Sequence, residues 1–271
     1  MRRFISDEEG LSRELTRLII LIVIIGGLST AGAFAYNIYL APPSAKVGVV
    51  TIDDTVYNFE YVHQIEDALD DDSIKAVVVK FRSPGGSANA CFQTEESLST
   101  LVAEKPVVAD LEEYAASGAY LIASASDYIY AHSQTVTAGL GVMAKWVSYE
   151  DYYENKGIDY FIWKSGEQKD WFAPWRDPTE NEIAKIENLV DDYANELFER
   201  IINNRAGKVP DNKEEFENRI SDLKDGSIVY GSDALTYGLV DNLGDYNNAV
   251  EKAATMAGLE DGEYQVVNLS K

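Results

Sequence analysis

The sequence predicts an α/β protein with a mainly parallel sheet, preceded by one N-terminal transmembrane helix. Two observations lead to this prediction. Four β-branched runs alternate with helical patterns, and a long uncharged apolar stretch stands near the N-terminus. Strands that alternate with helices at this spacing form βαβ units and hence parallel sheets. The 271 residues suffice for one large domain beside such a helix.

The first element is an uncharged segment that runs from Leu18 to Ala45. Its apolar part, residues 18–40, supplies the roughly 20 residues that a helix needs to cross a bilayer core. Four arginines stand among the first 17 residues, whereas Lys46 is the only close basic residue after the segment. This asymmetry predicts a single-pass anchor in contact with membrane lipid. Residues 1–17 would then lie in the cytoplasm, and the main domain outside the cell membrane.

A cleaved signal peptide is the alternative for the same segment. Ala33-Phe34-Ala35 fits the small-x-small pattern of a cleavage site. The anchor is favoured because the apolar character continues past that point to Leu40. Both interpretations export the domain, which we expect at residues 47–271 after a short stiff linker at 41–46.

Strands are expected in the exported domain at four runs: Val47–Ile52, Ala76–Phe81, Val107–Asp110 and Tyr128–Ala131. Helices are expected between them at 59–70, 87–104 and 117–125, and a last helix near 247–257. A long helix should follow Arg176, with Asp177 as its cap and Pro178 at its first position. Its apolar residues recur at spacings of three and four, so one face must pack against its own sheet or a neighbouring subunit.

The composition excludes several classes of function. With 46 acidic and 23 basic residues the net charge is −23, which argues against binding to nucleic acid. Such acidity is typical of a solvated surface, and an adaptation to high salt is the alternative. Cys91 is the only cysteine, and His63 and His132 are the only histidines. Neither a disulfide, a metal site nor a cofactor is therefore expected.

Two turns after expected strands carry residues suited to acyl transfer. Gly85 and Gly86 can present backbone amides to the oxyanion of a tetrahedral intermediate, because no side chain obstructs them. Ser117 stands among small residues before an apolar helix, and Gly118 follows it. Taken singly, the glycine pair is equally typical of a tight turn and Ser117 of a helix cap.

A serine nucleophile needs a base, and neither histidine has a flanking pattern that suggests this role. Lys169 lies between Trp163 and Trp171, and aromatic neighbours that exclude water favour the neutral form of a lysine. A packing cluster beside an exposed lysine is the alternative, and Lys164 is a competing base.

An ordered set of motifs resembles the signal peptide peptidase A family of serine endopeptidases. The resemblance extends from about Val47 to Ala257. The motifs are Ser83–Gly86, Ala115–Tyr120, Thr137–Val142, Lys164–Asp170, Pro174–Arg176 and Gly238–Asp241. The resemblance implies the spiral of ββα units known from the Clp protease subunit and the crotonase-like enoyl-CoA hydratases. It also implies a homo-oligomeric ring or dome with active sites between subunits.

The resemblance implies a role for each candidate residue. Ser117 would be the nucleophile and Lys169 the general base, while the amides of Gly85, Gly86 and Gly118 would form the oxyanion hole. The sequence departs from the family pattern at three positions. Arg82 replaces a common asparagine, Ala119 a usual glycine and Gln168 a usual tyrosine, changes that bear on substrate fit and leave the reacting groups in place.

The expected activity is that of a membrane-anchored serine endopeptidase with a Ser-Lys dyad, which degrades remnant signal peptides or similar hydrophobic peptides. The nearest alternative is a related membrane protease that cleaves the hydrophobic tails of membrane proteins. A crotonase-like acyl-CoA enzyme is disfavoured by the export segment and the Ser-Lys pair. A catalytically inactive assembly scaffold is disfavoured by the presence of both reacting groups.

Overall fold

The computed structural model describes residues 2–39, 44–210 and 212–270, and the chain divides into two compact units, Met1–Ser44 and Ala45–Lys271. The first unit contains one helix, α1 (Arg2–Tyr39). Its 20-residue stretch Leu15–Phe34 is exposed and, by length and composition, apolar enough to cross a membrane. Of the expected anchor and linker, residues 40–43 lie outside the described residues.

The second unit alternates strands and helices. Its first half comprises β1 (Ala45–Asp53), α2 (Glu60–Asp70), β2 (Ile74–Ser83), α3 (Ala88–Val102), β3 (Val107–Ala116), α4 (Gly118–Ser124), β4 (Tyr128–Ala131) and β5 (Val136–Ala138). Its second half comprises α5 (Glu150–Asn155), α6 (Glu180–Arg205), α7 (Lys213–Ile220), a 3-10 turn (Ser221–Asp225), β6 (Ile228–Tyr230), α8 (Gly231–Tyr237), β7 (Asn242–Leu243), α9 (Tyr246–Met256) and β8 (Tyr264–Asn268).

The strands form one sheet in the order β6-β5-β3-β2-β1-β8, with β4 paired to β3 and β7. Among the described strands every pairing is parallel except that of β5 with β6. The predicted α/β class with a mainly parallel sheet is thus confirmed. Strand β3 pairs with β4 through Val108–Leu111 and then with β5 through Tyr114–Ala116, so its end is held between β2 and β5.

Helices cover both faces of the sheet. Side chains that alternate along the strands divide between two apolar clusters, as expected when successive residues point to opposite faces. On one face Val50, Ile52 and Val79 belong to a cluster with buried residues of α2, α3, α4 and α6. On the other face Val49 and Val78 pack with the buried side of α9. A sheet covered on both faces explains the nearly continuous apolar strands of the sequence.

Helix α6 differs from its prediction in where it begins. The expected cap at Asp177 and first helical position at Pro178 are wrong, because the helix begins at Glu180 with Thr179 as its cap. The Thr179 hydroxyl oxygen accepts a hydrogen bond from the Glu182 amide at 3.3 Å, and the Glu182 carboxylate accepts one from the Thr179 amide at 2.9 Å. This reciprocal capping box satisfies two amides at once, which the Asp177 side chain alone could not do.

The two halves of α6 have different surroundings. The carboxyl-terminal half is buried through Leu197, Phe198 and Ile201, and it contacts α4. Near the beginning of the helix, Ile183 and Leu189 are exposed. The chain's own core therefore covers only part of the apolar face that the sequence predicts.

A buried ion pair joins α6 to the segment before β7. The Arg205 guanidinium is fully buried; it donates to Asp241 Oδ1 at 2.7 Å and to the Gly238 carbonyl at 3.1 Å. Asp241 Oδ2 also accepts from the Ile129 amide at 2.7 Å, so the carboxylate fixes the start of β4. The Gly238–Asp241 motif is thus a structural element of the core.

Asp241→Ala should destabilise the protein by about 3–5 kcal/mol, because it leaves the Arg205 charge buried without a counterion. Chemical denaturation of the detergent-solubilised chain measures the loss. Glu196→Ala is the matched control, since Glu196 pairs with Arg200 on the surface and should cost less than about 1 kcal/mol. Equal small losses for both variants would contradict the role given to Asp241.

Asp110 on β3 has a second buried carboxylate. Unlike that of Asp241, it is not fully hydrogen-bonded. It is 3% exposed, and its Oδ2 has no hydrogen-bond partner among the described residues. Burial, reinforced by the charges of Glu112 and Asp245 and opposed by that of Lys80, raises the pKa of Asp110 from 3.8 to about 6. The folded chain therefore binds this proton more tightly than the unfolded chain. The contribution of this bound proton to the stability of the folded state is fully present below pH 3.8, and it is lost as the pH rises to about 6.

Asp110→Asn should accordingly raise the stability above pH 6 by up to roughly 3 kcal/mol, and should change it much less below pH 4. Thermal unfolding at a series of pH values measures this difference. Asp261→Asn, at an exposed position, is the control and should shift the melting temperature little at any pH. A stabilisation by Asp110→Asn that did not depend on pH would overturn the prediction.

Candidate active site

Ser117 occupies a strained turn between β3 and α4. Its backbone angles, φ 55° and ψ −126°, lie where a non-glycine residue pays about 1–3 kcal/mol. The Ser117 amide donates to the Ala138 carbonyl at 2.8 Å, which ties the turn to the end of β5. The serine side chain makes no capping bond to α4, and its Oγ lies 3.4 Å from the Gly141 carbonyl. A sharp strand-to-helix turn of this kind exposes a hydroxyl at the edge of a sheet.

The turn after β2 lies directly against this serine. Gly85 accepts a hydrogen bond from the Val56 amide at 2.9 Å, and the Ser87 amide donates to the Val56 carbonyl at 2.8 Å. Gly86 lies between these two bonds, and a Cβ there would stand 2.1 Å from the Val56 oxygen. Only glycine fits so close a backbone approach.

The two turns meet at the start of α4. A Cβ on Gly85 would lie 2.7 Å from the Gly118 nitrogen, and a Cβ on Gly118 would lie 2.4 Å from Cys91 Sγ. The structure therefore brings together Ser117, Gly118 and the Gly85–Gly86 pair. Gly118 is the first residue of its helix, where amides have no partner within the helix and the helix dipole is positive.

These residues form one end of a cavity of about 480 Å³. Apolar side chains from three helices and one loop line the rest of it, among them Ala88, Phe92, Leu121, Leu197 and Met143. Among the described residues, no lysine, histidine, aspartate or glutamate lines it. Cys91 also lines the cavity, and burial raises the pKa of its thiol to about 12, so it remains protonated at neutral pH.

Sequence reasoning missed Leu197, Met143 and the loop residues Thr55 and Tyr57 as cavity residues. Leu197 lies on the apolar face of α6, so periodicity identified it as buried without showing that it adjoins the serine. The loop residues carry no periodic signal at all.

Lys169 is not among the residues that line this cavity. It is exposed and lies in segment 146–175, which we call the aromatic arm. This segment lies between the cavity loop, residues 141–143, and α6. The rings of the arm pair with one another: Tyr160 stacks on Trp175 at 5.7 Å, and Trp146 lies 5.2 Å from Phe172. The expectation that aromatic rings enclose Lys169 is therefore not met within a single chain.

Lys164, the competing base, is engaged in other bonds. Its Nζ donates to Asp170 Oδ1 at 2.7 Å and to the Glu167 carbonyl at 2.8 Å. The histidines are likewise placed elsewhere. His63 pairs with Glu66 on α2, and His132 belongs to the turn between β4 and β5; neither lines the cavity.

Arg82, one of the departures from the family pattern, has a local partner. Its Nε donates to Asp53 Oδ1 at 2.9 Å, and its Nη2 contacts the second oxygen of the same carboxylate. This bidentate bond lowers the pKa of Asp53. It joins the ends of β1 and β2 directly before the glycine turn.

Comparison with known proteins identifies the class. Residues 99–260 match the family model described as Peptidase family S49. Protease 4 of Haemophilus influenzae is 29% identical over 77% of this chain and 34% of its own length. The chloroplastic serine protease SPPA of Arabidopsis thaliana is 25% identical over 74% of this chain and 28% of its own length. A solved membrane-bound stomatin-specific protease mutant aligns with a TM-score of 0.47 at 18% identity, over 85% of this chain and 95% of that one.

The chain belongs to peptidase family S49, because the family model covers more than half of its length. A putative signal peptide peptidase SppA of Enterococcus faecium is 28% identical over 72% of this chain and 55% of its own length. It spans between 31% and 64% of the length of the first curated relatives that it matches.

The strain at Ser117 predicts a difference between two substitutions. Ser117→Gly should be more stable than Ser117→Ala by about 1 kcal/mol, because glycine adopts a positive φ without a Cβ penalty. Denaturant unfolding of the two variants measures this difference. The same pair at Ser97, which lies inside α3, should show the opposite order, since glycine weakens a helix interior. Equal stabilities at position 117 would refute the strain.

Proposed function

We propose that this chain is a membrane-anchored serine endopeptidase in which Ser117 of one copy is activated by Lys169 of a neighbouring copy. The observation that carries the proposal is the turn at Ser117. There a strained serine and the amides of Gly118 and the Gly85–Gly86 pair share one end of an apolar cavity whose lining holds no base.

The proposed chemistry follows from this arrangement. Neutral Lys169 accepts the Ser117 proton as Oγ attacks the peptide carbonyl carbon, and the resulting oxyanion takes hydrogen bonds from the backbone amides. The protonated lysine then donates to the leaving amine, and water releases the acyl group by the same route. Departure of the amine, which carries the carboxyl-terminal fragment, leaves the acyl group of the amino-terminal fragment esterified to Ser117 until water releases it.

The cavity supports an apolar substrate in an extended conformation. Phe92, Leu121 and Leu197 offer apolar surface for a substrate side chain next to the scissile bond. The glycine turn on one side and the loop at Gly141–Met143 on the other provide backbone along which a peptide strand can lie. Remnant signal peptides and similar hydrophobic segments have this chemistry.

The exposed aromatic arm supports a base from a second copy. Trp163 is 89% exposed, and Phe161, Ile162 and Ile158 of the same arm are also exposed. Monomeric proteins rarely expose so many large apolar side chains in one segment, and such surfaces are typical of protein–protein contacts. A homo-oligomer in which the arm lies on a neighbour would cover them and would deliver Lys169 to that neighbour's cavity.

The apolar helix α1 supports attachment beside the substrate pool. By length and composition Leu15–Phe34 can span a bilayer, and the arginines before it favour a cytoplasmic N-terminus. The peptidase unit would then lie outside the cytoplasm, next to the membrane in which hydrophobic peptides collect.

The decisive test mixes two inactive variants. Ser117→Ala and Lys169→Ala should each lose hydrolysis of a fluorogenic apolar peptide. Co-expressed with different tags and purified through both, they should recover up to roughly a quarter of wild-type activity, because sites in a ring then pair an intact serine with an intact lysine at random.

Lys156→Ala, at another exposed lysine of the arm, is the matched control and should keep wild-type hydrolysis. Full activity of Lys169→Ala would disprove the dyad. Inactive single variants whose mixture also stays inactive would keep the dyad but assign the lysine to the same subunit as the serine.

A further inference from the structure

The carboxylate of Asp170 binds residues on both sides of Lys169 in the chain and so holds the two ends of the Lys169 loop together. Lys164 donates to Asp170 Oδ1 at 2.7 Å, while Arg176 donates to Oδ1 at 3.1 Å and to Oδ2 at 3.0 Å. Arg176 also reaches the Asp170 carbonyl at 3.3 Å. Both carboxylate oxygens are therefore occupied by two cations, although Asp170 is the immediate neighbour of Lys169 in the chain.

Arg176 is in turn fixed to the beginning of α6. It donates to Glu182 Oε1 at 2.7 Å and to Oε2 at 2.8 Å, and Glu182 is held by the capping box with Thr179. The guanidinium also lies 5.3 Å from the centre of the Trp146 ring. Asp170 and Glu182 have buried side chains, so this network is shielded from solvent.

The network matters for Lys169 because of charge. A carboxylate free to pair with a lysine stabilises the ammonium form, and a general base must be neutral to accept a proton. The hydrogen bonds from Arg176 and Lys164 lower the pKa of Asp170, so it remains an anion that needs partners. Further charged residues joined to this network are Glu167 and Asp177, whose carbonyls accept from Lys164 and Arg176, and Glu150 of α5, which accepts from the Asp177 amide.

We propose that Arg176 is a positioning residue for the general base: with Lys164 it holds the Asp170 carboxylate, keeps it from pairing with Lys169, and fixes the Lys169 loop to the start of α6. This inference rests on the proposed function of Lys169. It adds a residue that touches neither substrate nor the reacting atoms and that acts through Asp170.

The test is the pH dependence of kcat/KM for the full chain in detergent. In Arg176→Gln the Asp170 carboxylate keeps only Lys164 as a partner and can pair with Lys169, so the rising limb of the profile should move to higher pH by about one unit. Activity at neutral pH should fall about tenfold accordingly. The double variant Asp170→Asn/Arg176→Gln lacks the carboxylate, and its limb should return toward the wild-type position.

Two further variants separate positioning from general stabilisation. Arg176→Lys keeps one charge for Asp170 but loses the bidentate bond, so it should place the limb between wild type and Arg176→Gln. Arg200→Gln is the matched control: Arg200 is 25% exposed against 20% for Arg176, and it binds glutamates of α3 and α6 instead of the Lys169 loop. Its limb should keep the wild-type position.

The outcomes are distinguishable. A loss of activity in Arg176→Gln and Arg176→Lys that is equal at all pH values would overturn the positioning role, as would a limb that the double variant fails to restore. If Arg176→Gln does not fold, Arg176→Lys and the double variant decide the matter by the same limb. Full activity of Lys169→Ala would instead disprove the proposed function itself.

Discussion

The candidate site depends on the direct approach of two backbone turns, with no side chain between them. Strands β2 and β3 are parallel neighbours, and their pairing of Ser83 with Ala115 brings both chains to the same edge of the sheet. Beyond that edge, a Cβ on Gly85 would stand 2.7 Å from the Gly118 nitrogen and 3.0 Å from the Ala116 carbonyl oxygen. Amides can converge on one point only where such contacts are backbone to backbone, so the glycines, the sheet order and the site form a single constraint.

The same constraint explains why part of the structure was accessible from the sequence. Long β-branched runs report local backbone geometry, and they predicted β1 to β4. That Ser117 meets Gly85, Gly86 and Gly118 was implied by the family resemblance of the ordered motifs. Strands β5 to β8 are only two to five residues long and exist because of their partners. The cap of α6 depended on a competition between Asp177 and Thr179, which the reciprocal bond with Glu182 decides. The surroundings of Lys169 are non-local, and within one chain they match the alternative of an exposed lysine beside a packing cluster.

The two residues of the proposed dyad lie in different surroundings, Ser117 in the rigid core and Lys169 on an exposed segment. Ser117 lies between buried strands and the wholly buried helix α4, which can hold a strained backbone. Lys169 lies on an exposed segment whose rings contact mainly each other. A nucleophile that must stay strained needs a core, whereas a base that must reach another copy needs an arm. Buried apolar side chains surround Ser117, and exposed apolar side chains accompany Lys169, as these two requirements predict.

Electrostatics gives the network around Asp170 its significance. A chain with a net charge of −23 produces a field that favours protonated lysines, and salt screens that field beyond about 8 Å at physiological ionic strength. The electrostatic field that acts on Lys169 therefore comes mainly from its near neighbours. Asp170 is the first of these along the chain. Arg176 and Lys164 occupy that carboxylate from two sides, and Glu182 fixes Arg176 in turn. In the proposed function, an acidic protein would thus keep Lys169 available as a base without removing the acid beside it, because Arg176 and Lys164 bind that acid instead.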